Sequence, residues 1–325
     1  MRIGILGSGA YGLALSSVMY DNKHDITIYT RLAEDRDQLV KERCNKKKLP
    51  DYEIPEKIVI SNNIEDCILE KDLIVIAIPA AGVDSLAQRM KPYITRNDHI
   101  LIATKGIEQG TGLFMHQILT KHLKTRNIAA ISGPSFAVDI ITKNPIGLAV
   151  AGKRKETIRR AKEALANKYV KLRESSDLTG IEACGSIKNV IAISSGMIDG
   201  LGANDSTSAM LLTEAIHDMM NILQAFHAKR KTVTTFAGLG DLLLTCTSVK
   251  SRNYSFGKMV GQKEDPEKIK KYLQETTVEG YYTLESIYQL LKDKRVKIPI
   301  IDLIYEIVVN GKKPELLLDF LVTKE

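Results

Sequence analysis

Through its first half the chain alternates short apolar runs with segments whose apolar positions recur at helical spacing. That is the pattern of a parallel sheet covered by helices. An apolar run with strand character occupies residues 1–6, and residues 13–19 behind it can continue as a helix. Further strands are expected at 25–29, 58–61, 73–79, 99–104, 128–132, 147–151 and 170–173. Helices are expected between them at 83–93, 113–123 and 155–166. After about Ser175 the strand signals stop. Amphipathic or wholly apolar helical stretches follow at 178–197, 206–226, 266–272, 283–291 and 298–309. The chain therefore divides into an α/β domain over residues 1–177 and an all-helical one over 178–325. No internal repeat or low-complexity tract is visible.

Between the first strand and the first helix stands Gly7-Ser8-Gly9-Ala10-Tyr11-Gly12. In this context G-x-G-x-x-G carries a mechanism. Gly7 allows the turn, Gly9 lets a pyrophosphate approach bare backbone, and Gly12 lets helix pack on strand. The N–H groups at the helix start then face the phosphates. This makes the N-terminal half a Rossmann-type doubly wound sheet that binds NADP(H) and/or NAD(H). Active residues are expected at the carboxyl ends of its strands, where Pro79, Lys105 and Ser135 fall. At the end of strand two, where an NAD-selective site usually carries an acid, the chain gives Thr30-Arg31. A guanidinium can pair with a 2′-phosphate, which suits NADPH. Glu34 and Asp35 lie just beyond and could still serve NAD.

At 325 residues, 44% of them hydrophobic and 26% charged, the chain has the composition of an ordinary soluble protein with room for two cores. Its net charge of +7 is spread out, and Lys46-Lys47-Lys48 is too short a basic run to argue for nucleic acid. The same charge would draw phosphorylated molecules toward a cleft or simply aid solubility. Four scattered cysteines fit reduced thiols in a cytosol, and six histidines in no paired spacing give no metal site. The longest near-apolar run, 73–81, is too short to span a bilayer. With the first strand already at residues 1–7, no removable leader is expected, and the protein is read as cytoplasmic.

Two stretches of the helical half are odd for simple packing. Lys188 sits among small and branched apolar residues in 182–193. Burial would lower its pKa toward one suited to proton transfer, whereas a snorkelling lysine would reach solvent. Asp241 follows Gly238-Leu239-Gly240 and could cap a helix, or position Lys188. Ser251-Arg252-Asn253 offers a fork of donors suited to a phosphate.

Here a family can be recognised. The segments G-S-G-A-Y-G at 7–12, T-K-G-I-E at 104–108, G-P-S-F-A at 133–137 and I-K-N-V-I-A-I at 187–193 carry the resemblance. So do A-G-L-G-D-L-L-L-T-C-T at 237–247, S-R-N at 251–253 and V-E-G-Y at 278–281. In this order the chain closely resembles the bacterial NAD(P)-dependent glycerol-3-phosphate dehydrogenases from Met1 to about Val309. The resemblance implies interconversion of dihydroxyacetone phosphate and sn-glycerol 3-phosphate, supplying phospholipid synthesis. It implies Lys188 as proton donor and acceptor, with Lys105 and Asp241 beside it in catalysis. Gly133, Ser135, Ser251, Arg252 and Asn253 would contact substrate along with Lys105, Lys188 and Asp241. Tyr11, Arg31, Lys105, Ala137, Arg252, Val278 and Glu279 would contact the cofactor. The family usually has serine where this chain has Ala10, which removes a side-chain donor but keeps the backbone N–H.

The reaction so implied fits the residues. Charge builds on the C2 oxygen as hydride arrives, and that oxygen needs a proton donor and nearby positive charge. Lys188 as acid, with Lys105 and Arg252 as neighbouring cations, would serve from a cleft between the domains. The apolar helix at 187–201 could also support a homodimer. Two rivals remain at this stage: a β-hydroxyacid dehydrogenase binding a carboxylate in place of the phosphate, and a dinucleotide sensor without chemistry.

Overall fold

In the computed structural model the protein is described over residues 1–292 and 295–323. The chain divides into two compact units, Met1–Lys105 with Phe114–Ile181, and Gly106–Leu113 with Glu182–Glu325. Residues 293–294 and 324–325 of the expected helical domain lie outside the described residues.

The first unit opens with β1 (Arg2–Leu6), α1 (Ala10–Asp21), β2 (Asp25–Tyr29) and α2 (Ala33–Glu42). A hairpin of β3 (Cys44–Asn45) and β4 (Leu49–Glu53) follows, then β5 (Val59–Ser61) and β6 (Leu73–Ile76). Next come α3 (Val83–Met90), β7 (His99–Ile102), α4 (Met115–His122), β8 (Asn127–Ser132) and α5 (Ala137–Ile141). The unit ends with β9 (Ile146–Gly152), α6 (Lys155–Leu165) and β10 (Val170–Ser175).

Eight strands form one sheet in the order β5-β2-β1-β6-β7-β8-β9-β10. Ile3, Ile5, Leu73, Val75 and Leu101 share a core with α1 and α6. The alternate residues Leu6, Ile74, Ile76, Ile100 and Ile102 are buried as well. Burial on both faces explains why these strands read as continuous apolar runs. One feature departs from a parallel sheet: β9 pairs antiparallel with β8. The link from Ser132 to Ile146, holding only the short α5, returns from the end at which β8 finishes, so no crossover is made.

The second unit is helical. Its helices are α7 (Leu178–Gly200, beginning just before the division), α8 (Asp205–Ala225), α9 (Asp241–Cys246), α10 (Arg252–Gly261) and α11 (Pro266–Glu275). They continue with α12 (Glu279–Lys292), α13 (Pro299–Val308) and α14 (Leu316–Thr323). From residue 182 to 198 every position of α7 is buried. The run at 187–201 is therefore core, and its buried part offers no apolar face to a second copy.

Helices α7 and α10 meet backbone to backbone at four glycines. A Cβ on Gly196 would lie 2.0 Å from the Tyr254 carbonyl oxygen, and one on Gly200 would lie 2.4 Å from that of Lys258. A Cβ on Gly257 would lie 1.9 Å from the Ile193 oxygen, and one on Gly261 would lie 2.1 Å from that of Met197. None of these distances tolerates a methyl group. Among the described residues no helix is long and apolar enough to cross a membrane.

Candidate active site

In the first unit the turn from β1 to α1 carries the glycine fingerprint. Gly7 has φ 134°, and a Cβ there would lie 2.3 Å from the Ala77 carbonyl oxygen. A Cβ on Gly12 would lie 2.2 Å from the Gly7 oxygen. The chain's own packing demands both glycines. Gly9 is different, since nothing lies within 4 Å of where its Cβ would stand. It is the N-cap of α1 and brings no side-chain cap. Open space beside a bare helix start fits a dinucleotide pyrophosphate, which takes N–H donors and favours the positive end of the helix. Ala10 is the first residue of α1, with its backbone N–H in that first turn.

Ser8 donates its hydroxyl to Thr30 Oγ1 at 3.0 Å, tying the glycine turn to the end of β2. Arg31 follows and is exposed. Glu34 and Asp35 stand in the first turn of α2, where they favour that helix's own N-terminus. The Asn45 side chain donates to the Ser8 carbonyl at 3.2 Å, which brings the β3–β4 hairpin against the same turn.

Lys105 follows β7, and Gly133 and Ser135 follow β8, its neighbour in the sheet. Lys105 Nζ donates to the Gly133 carbonyl at 3.1 Å, and Ser135 Oγ donates to the same oxygen at 2.9 Å. Tyr11 Oη lies 3.1 Å from Ser135 Oγ, and Lys105 Nζ lies 5.8 Å from the centroid of the Tyr11 ring. Ala137 is half-buried and opens α5.

In the second unit Lys188 is buried, with 6% of its surface exposed, so the snorkelling alternative falls. Its Nζ donates to Asp241 Oδ1 at 2.7 Å and to Thr245 Oγ1 at 2.8 Å. Burial disfavours the ammonium, and the adjacent Asp241 carboxylate favours it, so the two effects oppose. The segment before Asp241 is no free glycine turn. Phe236–Gly240 makes one turn of π-helix that runs into α9, and Asp241 is the first residue of α9 rather than its cap. Such turns recur at functional sites. Cys246, at the end of α9, is also buried, and burial pushes its thiol up to about 12.

Ser251 caps α10, accepting from the Tyr254 N–H at 3.3 Å. Arg252 is exposed at that same helix start, so a guanidinium and a positive helix end coincide, as a dianion prefers. Asn253 is buried. Its Nδ2 donates to Asn189 Oδ1 at 3.1 Å, and its Oδ1 accepts from the Gly280 N–H at 2.8 Å. That last bond holds the start of α12, where Val278 is buried and Glu279 half-buried.

Sequence reasoning overlooked Thr245 and Asn189. Thr245 is one helical turn from Asp241 on the same face, and Asn189 adjoins Lys188. Helical spacing would have flagged Thr245 once α9 was recognised. Asn189 gave no such signal, because its partner is 64 residues away.

Two family descriptions match the chain: NAD-dependent glycerol-3-phosphate dehydrogenase N-terminus over residues 2–158, and C-terminus over residues 177–319. A glycerol-3-phosphate dehydrogenase (NAD(P)+) from Geobacillus thermodenitrificans is 31% identical, covering 99% of this chain and 95% of that protein. One from Halorhodospira halophila is 34% identical, covering 96% and 93%. The crystal structure of a glycerol-3-phosphate dehydrogenase from Coxiella burnetii is similar, with TM-score 0.93, 28% identity and 99% of both chains covered.

Proposed function

The chain belongs to the NAD-dependent glycerol-3-phosphate dehydrogenase family, and we propose from that premise how its own residues carry the reaction. It is an oxidoreductase that interconverts dihydroxyacetone phosphate and sn-glycerol 3-phosphate with NAD(P)H. Supply of glycerol 3-phosphate for phospholipid synthesis is typical of the family. Membership sets aside both rivals, the hydroxyacid dehydrogenase and the sensor.

The bound reduced nicotinamide supplies the hydride. Gly9 and the first turn of α1 hold the pyrophosphate, and Arg31 takes a 2′-phosphate where one is present. Lys188 is the acid in reduction, passing a proton from Nζ to the forming alkoxide at C2 and recovering it in the reverse direction. Asp241 and Thr245 aim that ammonium. Lys105 adds positive charge where the oxygen gains it, with Gly133 and Ser135 ordering its neighbourhood. Ser251, Arg252 and Asn253 take the phosphate, a remote handle that aligns C2. Val278, Glu279 and Ala137 complete the cofactor contacts. We place the enzyme in the cytoplasm, in keeping with four free cysteines, three of them buried.

The observation that carries this reading is a buried lysine held at 2.7 Å by a buried aspartate. The test mixes purified protein with dihydroxyacetone phosphate and follows NADPH and NADH absorbance separately. Lys188→Met should bind NADPH as the parent does and lose turnover by about 10²–10⁴-fold, the scale of general acid catalysis. Near-parental turnover in that variant removes Lys188 from the role.

A further inference from the structure

Four residues of the first unit, Tyr11, Lys105, Gly133 and Ser135, close a ring of contacts. The Gly133 carbonyl accepts twice, from Lys105 Nζ and from Ser135 Oγ. A serine hydroxyl has one proton, and here it is on Gly133. The contact between Tyr11 Oη and Ser135 Oγ therefore runs with Tyr11 as donor. The Lys105 ammonium meanwhile lies within cation–π reach of the Tyr11 ring. Tyr11 thus meets Ser135 through its hydroxyl and Lys105 through its ring. Its main chain lies in the first turn of α1, two residues after Gly9.

We propose that Tyr11 is a positioning residue for the substrate, linking the dinucleotide turn to the Lys105–Ser135 pair. This rests on the reading of Lys105 and Ser135 as substrate contacts. With Tyr11 donating and Gly133 accepting, Ser135 keeps a lone pair to accept from a substrate hydroxyl, and its orientation is fixed before substrate arrives. The Tyr11 ring adds a cation–π contact to a Lys105 ammonium that already donates to the Gly133 carbonyl. A dinucleotide that settles the first turn of α1 settles Tyr11 too, so bound cofactor tightens the substrate site. Phenylalanine at this position would keep the ring and lose the link to Ser135.

The test compares Tyr11→Phe and Tyr11→Leu with the parent. NADPH Kd is measured by fluorescence without substrate, and KM and kcat for dihydroxyacetone phosphate by turnover. Loss of one hydrogen bond predicts that Tyr11→Phe raises KM about 3- to 10-fold. Its KM should rise by a larger factor than its NADPH Kd, since the lost hydrogen bond is to Ser135 while the cofactor-facing backbone is unchanged. Tyr11→Leu, which also removes the ring beside Lys105, should raise KM further and lower kcat. On a Ser135→Ala background, Tyr11→Phe should add nothing to KM, the coupling a general packing role would not produce. Unchanged KM in Tyr11→Phe, or a parallel rise in NADPH Kd, overturns the proposal. Either result leaves the dehydrogenase reading standing, because parental turnover is measured in the same assay. Absence of parental turnover with dihydroxyacetone phosphate would overturn both.

Discussion

Thr245 presents its oxygen, and not its proton, to Lys188. The hydroxyl donates to the Asp241 carbonyl at 2.6 Å, one turn back along α9, so its lone pair accepts the 2.8 Å bond from Lys188 Nζ. The helix itself sets the direction of that hydroxyl. Thr245→Val keeps the shape and removes the acceptor. Its kcat should fall about tenfold, the scale of one hydrogen bond to a charged group, with a smaller change in KM. Thr245→Ser should restore most of the loss. Equal kcat in Thr245→Val and parent would show that the Thr245 acceptor is not needed to aim the ammonium.

The fingerprint glycines should separate into two kinds. A methyl group on Gly12 meets the Gly7 oxygen at 2.2 Å, so Gly12→Ala should cost about 1–3 kcal/mol or more in urea unfolding. A methyl group on Gly9 meets open space, so Gly9→Ala should lose at most about 1 kcal/mol, the value of an N-cap change. The same Gly9→Ala protein should bind NADPH at least about tenfold more weakly, because the pyrophosphate needs that space. Intact NADPH affinity would place the dinucleotide elsewhere.

Arg31→Glu should move the cofactor preference toward NADH. A carboxylate at the exposed end of β2 repels a 2′-phosphate and accepts from ribose hydroxyls. The ratio of kcat/KM for NADPH over NADH should fall by about tenfold or more. A ratio that does not move assigns the 2′-phosphate to another cation.

Thiol chemistry should follow burial. The Cys67 and Cys246 thiols are both pushed up to about 12 by burial. A raised value keeps the neutral form through the physiological range, and thiolate appears only as pH climbs toward 12. At pH 8 both thiols are overwhelmingly neutral. Iodoacetamide at that pH should therefore label the half-exposed Cys44, while Cys67 and Cys246 react only after unfolding. Peptide mass spectrometry reads this directly. Labelling of Cys246 as fast as Cys44 would contradict the packing around α9.

The parts legible from sequence were those whose signal is local. β1, β6 and β7 are buried on both faces and read as apolar runs, and the glycines after β1 stand at fixed spacing. The β3–β4 hairpin escaped notice because Pro50 and Asp51 break the alternation between Leu49 and Tyr52, and a two-stranded edge tolerates proline. Helix α2 buries only Leu39, so it shows no apolar stripe. The reversed direction of β9 leaves no trace, since a buried strand reads the same in either sense. Within the site, Lys188 stood out as a charge in apolar surroundings, and Asp241 as an acid directly after Gly238-Leu239-Gly240. Asn189 and Thr245 did not, because uncharged polar residues are ordinary in helices and their meaning comes from partners distant in sequence.

The four glycines between α7 and α10 have a practical outcome for anyone redesigning this enzyme. Main-chain atoms locate the Ser251-Arg252-Asn253 turn relative to the helix of Lys188, so the frame does not depend on which side chains line it. A library that varies Ser251 and Arg252 while leaving Gly196, Gly200, Gly257 and Gly261 untouched should stay folded and sample new head groups. One that varies the glycines should yield mostly insoluble protein, and sequencing the soluble fraction of both libraries would reveal the contrast.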